Sequence, residues 1–210
     1  MGAVSVIYLV MPSYDHPLLP DSYYHVFNRA VGNEKMFFED ENYRFFLKRF
    51  CDYILPVADI YTYALIPNHF HFFLRIKRLE LIVKRYEQLK RKPPDQYSTE
   101  LITEFIMNQF SNWCNSYTKS FNKVYKRKGK LFIDNLHRNP VITESYFSRI
   151  VYYIHNNPVK HGIASRIGEW PFTSYNTILS DANTWLKKDE LINWFGGIKP
   201  FVEFHQRLNP

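Results

Sequence analysis

Ala64-Leu65-Ile66-Pro67-Asn68-His69-Phe70-His71-Phe72-Phe73-Leu74 holds two apolar runs separated by Pro67-Asn68. A proline followed by asparagine is turn chemistry. The stretch therefore reads as a β-hairpin, with one strand from Asp59 to Ile66 and a return strand from His69 to Ile76. Successive strand residues face opposite sides, so His69 and His71 point one way and Phe70 and Phe72 the other. Two imidazoles on one rigid surface are half of a divalent-metal site. A His-x-His pair alone is weak, and its meaning depends on what else reaches that face.

Upstream, Pro12 to Pro20 reads as an extended lead-in, and Ser22 to Ala30 is aromatic and β-branched, hence a strand. Asp40 is a capping residue for a helix from Glu41 to about Leu55. Downstream, Lys77 to Gln96 is charged and ends in Lys90-Arg91-Lys92-Pro93-Pro94, which reads as a helical insertion and an exposed loop. Ser98 caps a long helix from Thr99 to about Lys119, with Leu101, Phe105, Ile106, Phe110 and Trp113 on its apolar stripe. A basic turn, Lys126-Arg127-Lys128-Gly129-Lys130, precedes a strand from Leu131 to Arg138. A further helix starts at Thr143 and reaches about Asn156, where Pro158 stops it. Two short helices follow, Lys188 to Trp194 and near Pro200 to Arg207. Strand, helix, hairpin, helix, strand, helix is an α+β order: an antiparallel sheet with helices packed against it.

The chain of 210 residues is 46% hydrophobic and 18% aromatic, enough for a packed core. Its net charge of +7 favours a polyanionic partner, nucleic acid before membrane. Cys51 and Cys114 are the only cysteines and lie far apart, which predicts free buried thiols in a reducing cytoplasm. The apolar run Ala3 to Val10 is too short to span a bilayer and lacks a basic flank.

Tyr153-Ile154-His155-Asn156-Asn157-Pro158-Val159 sharpens the histidine pair. Tyr153 and Asn157 are four apart and share one helical face. A phenol beside an amide is odd for a core face. It makes sense if Asn157 supplies a third metal ligand and Tyr153 is a nucleophile beside the metal, forming a covalent ester in the first of two steps. Tyr152 points about 100° away, and His155 lies about 200° from Tyr153. His25, His137, His155 and His161 read as surface or core residues rather than ligands. Arg127, Lys128 and Lys130 suit phosphate contacts, with Lys84, Arg85, Lys90, Arg91 and Lys92 as a second patch; for any one of them the alternative is a solvated charged turn.

These segments, with Tyr23-Tyr24-His25-Val26-Phe27-Asn28-Arg29-Ala30, resemble the HUH endonucleases. Within that group the chain is most similar to the single-tyrosine branch and its REP-associated tyrosine transposases, whose helix reads Tyr-x-x-x-Asn-Pro. The resemblance runs from about Ser22 to Tyr175, through Glu169-Trp170-Pro171-Phe172-Thr173-Ser174-Tyr175. Ala30 stands where the family often has glycine. The resemblance implies a ferredoxin-like core in residues 22–175, with an insertion at about 77–96, an extension at 1–21 and a tail at 176–210. It further implies Mg²⁺ or Mn²⁺ held by His69, His71 and Asn157, and cleavage of single-stranded or hairpin DNA through a 5′-phosphotyrosine link on Tyr153. Monomer and homodimer both remain open. One rival is a transposase-derived protein that holds a DNA or RNA hairpin without cutting it. Another is an amidohydrolase-type metallohydrolase, which also opens with His-x-His. That fold needs a barrel of roughly 250 residues with a βα rhythm absent here.

Overall fold

Period-two alternation in the aromatic segments builds one sheet with two unlike faces. The computed structural model describes residues 16–32, 34–90, 94, 96–133 and 135–207. In chain order the elements are β1 (Tyr23–Arg29), α1 (Asp40–Ile54), β2 (Ala58–Ile66), β3 (His69–Ile76), α2 (Leu79–Leu89), α3 (Thr99–Val124), β4 (His137–Pro140), α4 (Glu144–Lys160), α5 (Tyr175–Leu179), α6 (Lys188–Trp194) and α7 (Ile198–Arg207). The strands run in the order β2-β3-β1-β4, antiparallel throughout. The units β1-α1-β2 and β3-α3-β4 interleave, which is the ferredoxin-like plan. α2 is an extra helix between β3 and α3.

One face of the sheet is a dry aromatic core under α1 and α3. Phe70 lies 5.2 Å from Phe46 and 5.0 Å from Trp113, and Phe72 stacks on Phe50 at 4.0 Å. The other face carries α4: Phe147 meets Phe73 at 4.6 Å and Tyr23 at 5.8 Å. Alternation on β3 thus sends Phe70 and Phe72 into the core and His69, His71 and Phe73 toward α4. The hairpin register pairs Ile66 with His69, so Pro67-Asn68 is its whole connection.

Four elements differ from the sequence reading. The strand placed at Leu131 to Arg138 is His137–Pro140. Leu131 and Phe132 are buried, but Phe132 caps the core against Phe46 and Phe70 and joins the end of β1 through a single bridge at Ala30. Their apolar character reflects burial, not a ladder. α1 takes Glu39 as its N-cap instead of Asp40, and Asn42 Oδ1 accepts from the backbone N–H groups of Phe38 and Glu39. α3 runs on to Val124. α4 passes through Pro158 to Lys160. Pro158 sits in the last turn and removes only its own N–H. The stop is Gly162 at φ 66°, where Gly162 N–H donates to Val159 O and Ile163 N–H to Pro158 O, a Schellman closure. The extra turn places Lys160 and His161 at the sheet's histidine end.

The segment after α4 covers the outer edge of β2, where Leu65 N–H donates to Phe172 O, Ser174 N–H to Tyr63 O, and Lys187 N–H to Ile60 O. These bonds take up edge groups that would otherwise be open to another strand. α7 is tied back to α4 by a directed chain of hydrogen bonds. His205 Nδ1–H donates to Phe201 O at 2.8 Å, so His205 Nε2 accepts from His155 Nδ1–H at 2.9 Å. His155 Nε2 accepts from Ser174 Oγ–H at 2.8 Å, and Ser174 Oγ accepts from Tyr63 N–H at 2.9 Å. Burial pushes the Cys51 thiol up to about 11 and the Cys114 thiol up to about 12, so both are inert. No helix among the described residues is long and apolar enough to cross a membrane.

Burial holds His205 down to about 4 and His155 well below the ordinary imidazole value. Both are neutral in the fold, while the unfolded chain takes up protons below about pH 6.5. Their stabilising contribution is complete above that pH and is lost as pH falls toward 4, at up to about 1.4 kcal/mol per pH unit for each imidazole. Urea unfolding at pH 7, 6 and 5 is expected to show falling stability, with a shallower fall in His205→Gln. An equal slope in the variant would show that His205 is not buried as a neutral ring.

Candidate active site

Three side chains from two elements converge on the α4 face. His69 and His71 come from β3 and Asn157 from α4. Asn157 is fully buried, and its amide bridges the two rings: Oδ1 lies 3.0 Å from His69 Nε2 and Nδ2 lies 3.2 Å from His71 Nε2. The other nitrogens are also engaged. His69 Nδ1 lies 2.8 Å from Asn68 Oδ1, and His71 Nδ1 lies 2.9 Å from His25 Nε2. Asn157 Nδ2 is a donor, so His71 Nε2 is a bare lone pair and His71 Nδ1–H donates to His25. His69 lies between two acceptors, Asn68 Oδ1 at Nδ1 and Asn157 Oδ1 at Nε2, and as a neutral ring it donates to one of them. Desolvation by burial holds His69 down to about 4 and His71 well below its ordinary value, so both rings are neutral.

This donor set fits a divalent metal. Both imidazoles direct Nε2 at the Asn157 amide, and each Nδ1 has a second partner, Asn68 Oδ1 or His25 Nε2, that can hold the Nδ1–H tautomer of a ligating histidine. A bound cation would take the place of the proton between His69 Nε2 and Asn157 Oδ1, leaving both atoms free to ligate it. Among the described residues no group of three or more His, Cys, Asp or Glu side chains is placed to hold a metal ion. A two-histidine, one-amide set has only two members of those types.

Tyr153 lies one turn before Asn157 on α4. Its ring stands edge-on to His71 at 5.4 Å and to His25 at 5.9 Å, with Lys160 Nζ 5.2 Å from its centre. Burial pushes the phenol up, and the Asn157 side chain pulls it back in part. Tyr152 turns away, packing against Phe204 at 6.5 Å and His205 at 6.0 Å on α7. His155 also faces α7, in the chain of bonds described above.

Two histidines read from sequence as bystanders belong to the site's surroundings. His25 holds His71, and its period-two position on β1, the strand beside β3, was the available signal. His161 lies 4.7 Å from His69, ring to ring, brought there by the extra turn of α4. His137 stacks on Phe27 at 4.6 Å.

The basic turn divides into two kinds of residue. Arg127 Nε donates to Glu34 at 2.7 Å, and its other nitrogens reach Asn122 Oδ1 at 3.1 Å, Gly129 O at 3.3 Å and Lys130 O at 2.6 Å. Its guanidinium organises the turn from within. The side chains of Lys128 and Lys130 are exposed. In the second patch, Lys84 and Lys90 are exposed and Arg85 half-buried, while Arg91 and Lys92 lie outside the described residues.

No protein-family model matches the chain, and no curated protein matches it. Among solved structures it is similar to a REP-associated tyrosine transposase bound to a REP hairpin. The TM-score is 0.54 at 16% identity, over 81% of this chain and 87% of that one. The likeness is one of fold, in agreement with the α+β, ferredoxin-like sheet.

Arg127→Ala is expected to lose about 1–2 kcal/mol of stability, because four bonded groups lose their partner at once. Lys128→Ala should stay within about 0.5 kcal/mol of the parent. Urea midpoints at constant m-value measure both; equal effects would mean that Arg127 does not organise the turn.

Proposed function

We propose that the protein is a transposase-like, metal-dependent enzyme that cuts and transfers single-stranded DNA at hairpins through a 5′-phosphotyrosine intermediate. The observation that carries this reading is the convergence of His69, His71 and Asn157 one helical turn from Tyr153. The fold shared with a hairpin-bound tyrosine transposase supports it.

His69 Nε2, His71 Nε2 and Asn157 Oδ1 would hold Mg²⁺ or Mn²⁺, which when bound polarises a phosphodiester oxygen and orients the phosphorus for in-line attack. Tyr153 Oη gives up its proton and attacks phosphorus. The P–O3′ bond breaks, the 3′-oxygen leaves and takes a proton, and the 5′-phosphate remains esterified to Tyr153. In strand transfer a 3′-hydroxyl attacks that ester and returns the phenol, so no net energy input is needed. With the metal bound, His25 and Asn68 would accept from the two Nδ1–H groups and so favour the tautomers that leave Nε2 bare. Lys128 and Lys130 supply sequence-independent phosphate contacts, with Arg127 shaping the turn that presents them. The thiols of Cys51 and Cys114 suit a reducing cytoplasm.

A labelled hairpin with single-stranded flanks, incubated with Mn²⁺ and run on a denaturing gel, tests the chemistry. Tyr153→Phe should fold and lose the covalent adduct, and Tyr152→Phe should keep it. Persistence in Tyr153→Phe with loss in Tyr152→Phe would reverse the assignment. No adduct from the unaltered protein, with hairpin binding retained, would favour the non-cleaving binding reading.

Binding is tested separately. Lys128→Gln with Lys130→Gln should weaken every hairpin alike and lower the slope of log K against log salt by about 1–2. An unchanged slope would take the turn out of the interface.

A further inference from the structure

The proposed ligand set carries no charge: two neutral imidazoles and an amide. Metal sites that bind a free divalent ion tightly usually offset its charge with carboxylate or thiolate ligands. Among the described residues the charged neighbours acting on His69, His71 and His161 are Arg29, Lys160 and other imidazoles, with no carboxylate among them.

Two full cations approach from different elements. Arg29 ends β1, and its Cα is the register partner of His69. Lys160 ends α4, with its ammonium 5.2 Å from the centre of the Tyr153 ring. Both residues are exposed. Neither makes an ion pair or a hydrogen bond from its side chain among the described residues. A divalent ion at His69 and His71 would therefore meet two uncompensated positive charges. Like charges repel in proportion to their product, and salt screens the effect at exposed sites. The arrangement is unfavourable for a metal alone and becomes favourable once an anion sits between the cations and the metal. Arg29 stands beside His69 across the strand pair and Lys160 beside the Tyr153 ring, so the two cations bracket the proposed ligand and nucleophile.

We propose that Arg29 and Lys160 form the seat for the DNA phosphate at the cleavage site, and that they make metal binding conditional on DNA by repelling the metal until the phosphate arrives. This rests on the metal reading above. Binding linkage is reciprocal, so DNA should tighten the metal by the same factor by which the metal tightens DNA.

The test measures Mn²⁺ binding by the loss of the free-ion electron paramagnetic resonance signal at low ionic strength. It uses the full chain as Tyr153→Phe, so that DNA stays uncut, with and without a hairpin carrying single-stranded flanks. Adding Arg29→Gln and Lys160→Gln should tighten Mn²⁺ by about ten- to a hundredfold without DNA, since each of the two removed charges is worth about three- to tenfold near a divalent ion. The same variant should lose most of the tightening that DNA brings. A charge-preserving variant, Arg29→Lys with Lys160→Arg, should keep the parent's behaviour. If neutralisation leaves DNA-free Mn²⁺ affinity and the DNA-induced tightening both unchanged, the coupling is overturned while the metal site stands. If Mn²⁺ binds in none of the proteins, with or without DNA, the metal reading falls and the coupling with it. The unfolding midpoint of each variant confirms that these exposed positions leave the fold intact.

Discussion

A single buried carboxamide governs the arrangement. Asn157 has no exposure, and an unsatisfied amide there would cost on the order of 1–3 kcal/mol. Its two bonding atoms meet His69 and His71, which fixes how far along and at what rotation α4 lies on the sheet. A slip of one turn would shift α4 by about 5.4 Å and orphan all three groups. Tyr153 inherits its place from this bond, since it lies one turn away on the same face. The opposite face of α4 is held independently, through His155, His205 and Ser174. The helix bearing the proposed nucleophile is thus pinned from two sides, by polar groups that tolerate only one geometry.

What was legible in the sequence is what local geometry dictates. Alternation in His69 to Leu74 separates the histidine face from the phenylalanine face whatever the rest of the chain does. The spacing of Tyr153 and Asn157 puts them together on any helix. The long amphipathic stripe from Leu101 to Trp113 announces α3, and the α+β order follows from the sequence of elements. The illegible parts depend on partners distant in sequence. Leu131 and Phe132 look like strand residues because burial and strand pairing select the same side chains. Arg127 reads as one more cation of the turn, and its bond to Glu34, far upstream, is invisible in the local sequence. Pro158 is a stop signal only where a helix still needs the proline's missing N–H, and in the last turn the Gly162 closure decides the end instead. That misreading is what hid Lys160 and His161.

The two faces of the sheet separate stability from chemistry. Under α1 and α3 the aromatic rings meet edge-on and stacked, and the buried Trp113 Nε1–H and Tyr117 O–H donate to the backbone carbonyls of Phe46 and Met36, so that side behaves as a rigid plate. The α4 face gives up part of its apolar contact to histidines, an amide and a half-buried phenol. Such a face is affordable only because the other side and the covered edge of β2 hold the sheet. Sites of this kind need atoms fixed to within a fraction of an ångström, and strands and helices provide that better than loops.

Burial also links the proposed chemistry to the stability of the fold. His25, His71 and His155 lie almost wholly out of solvent, and desolvation keeps each imidazole far from its charged form. A neutral ring is what a metal ligand requires, and a neutral ring is also what acid removes. Making His69 and His71 easier to protonate would demand more water around them, which would loosen the Asn157 bridge and release α4. The burial that keeps these imidazoles neutral is therefore the same burial that makes the fold acid-sensitive, and neither property can be tuned without moving the other.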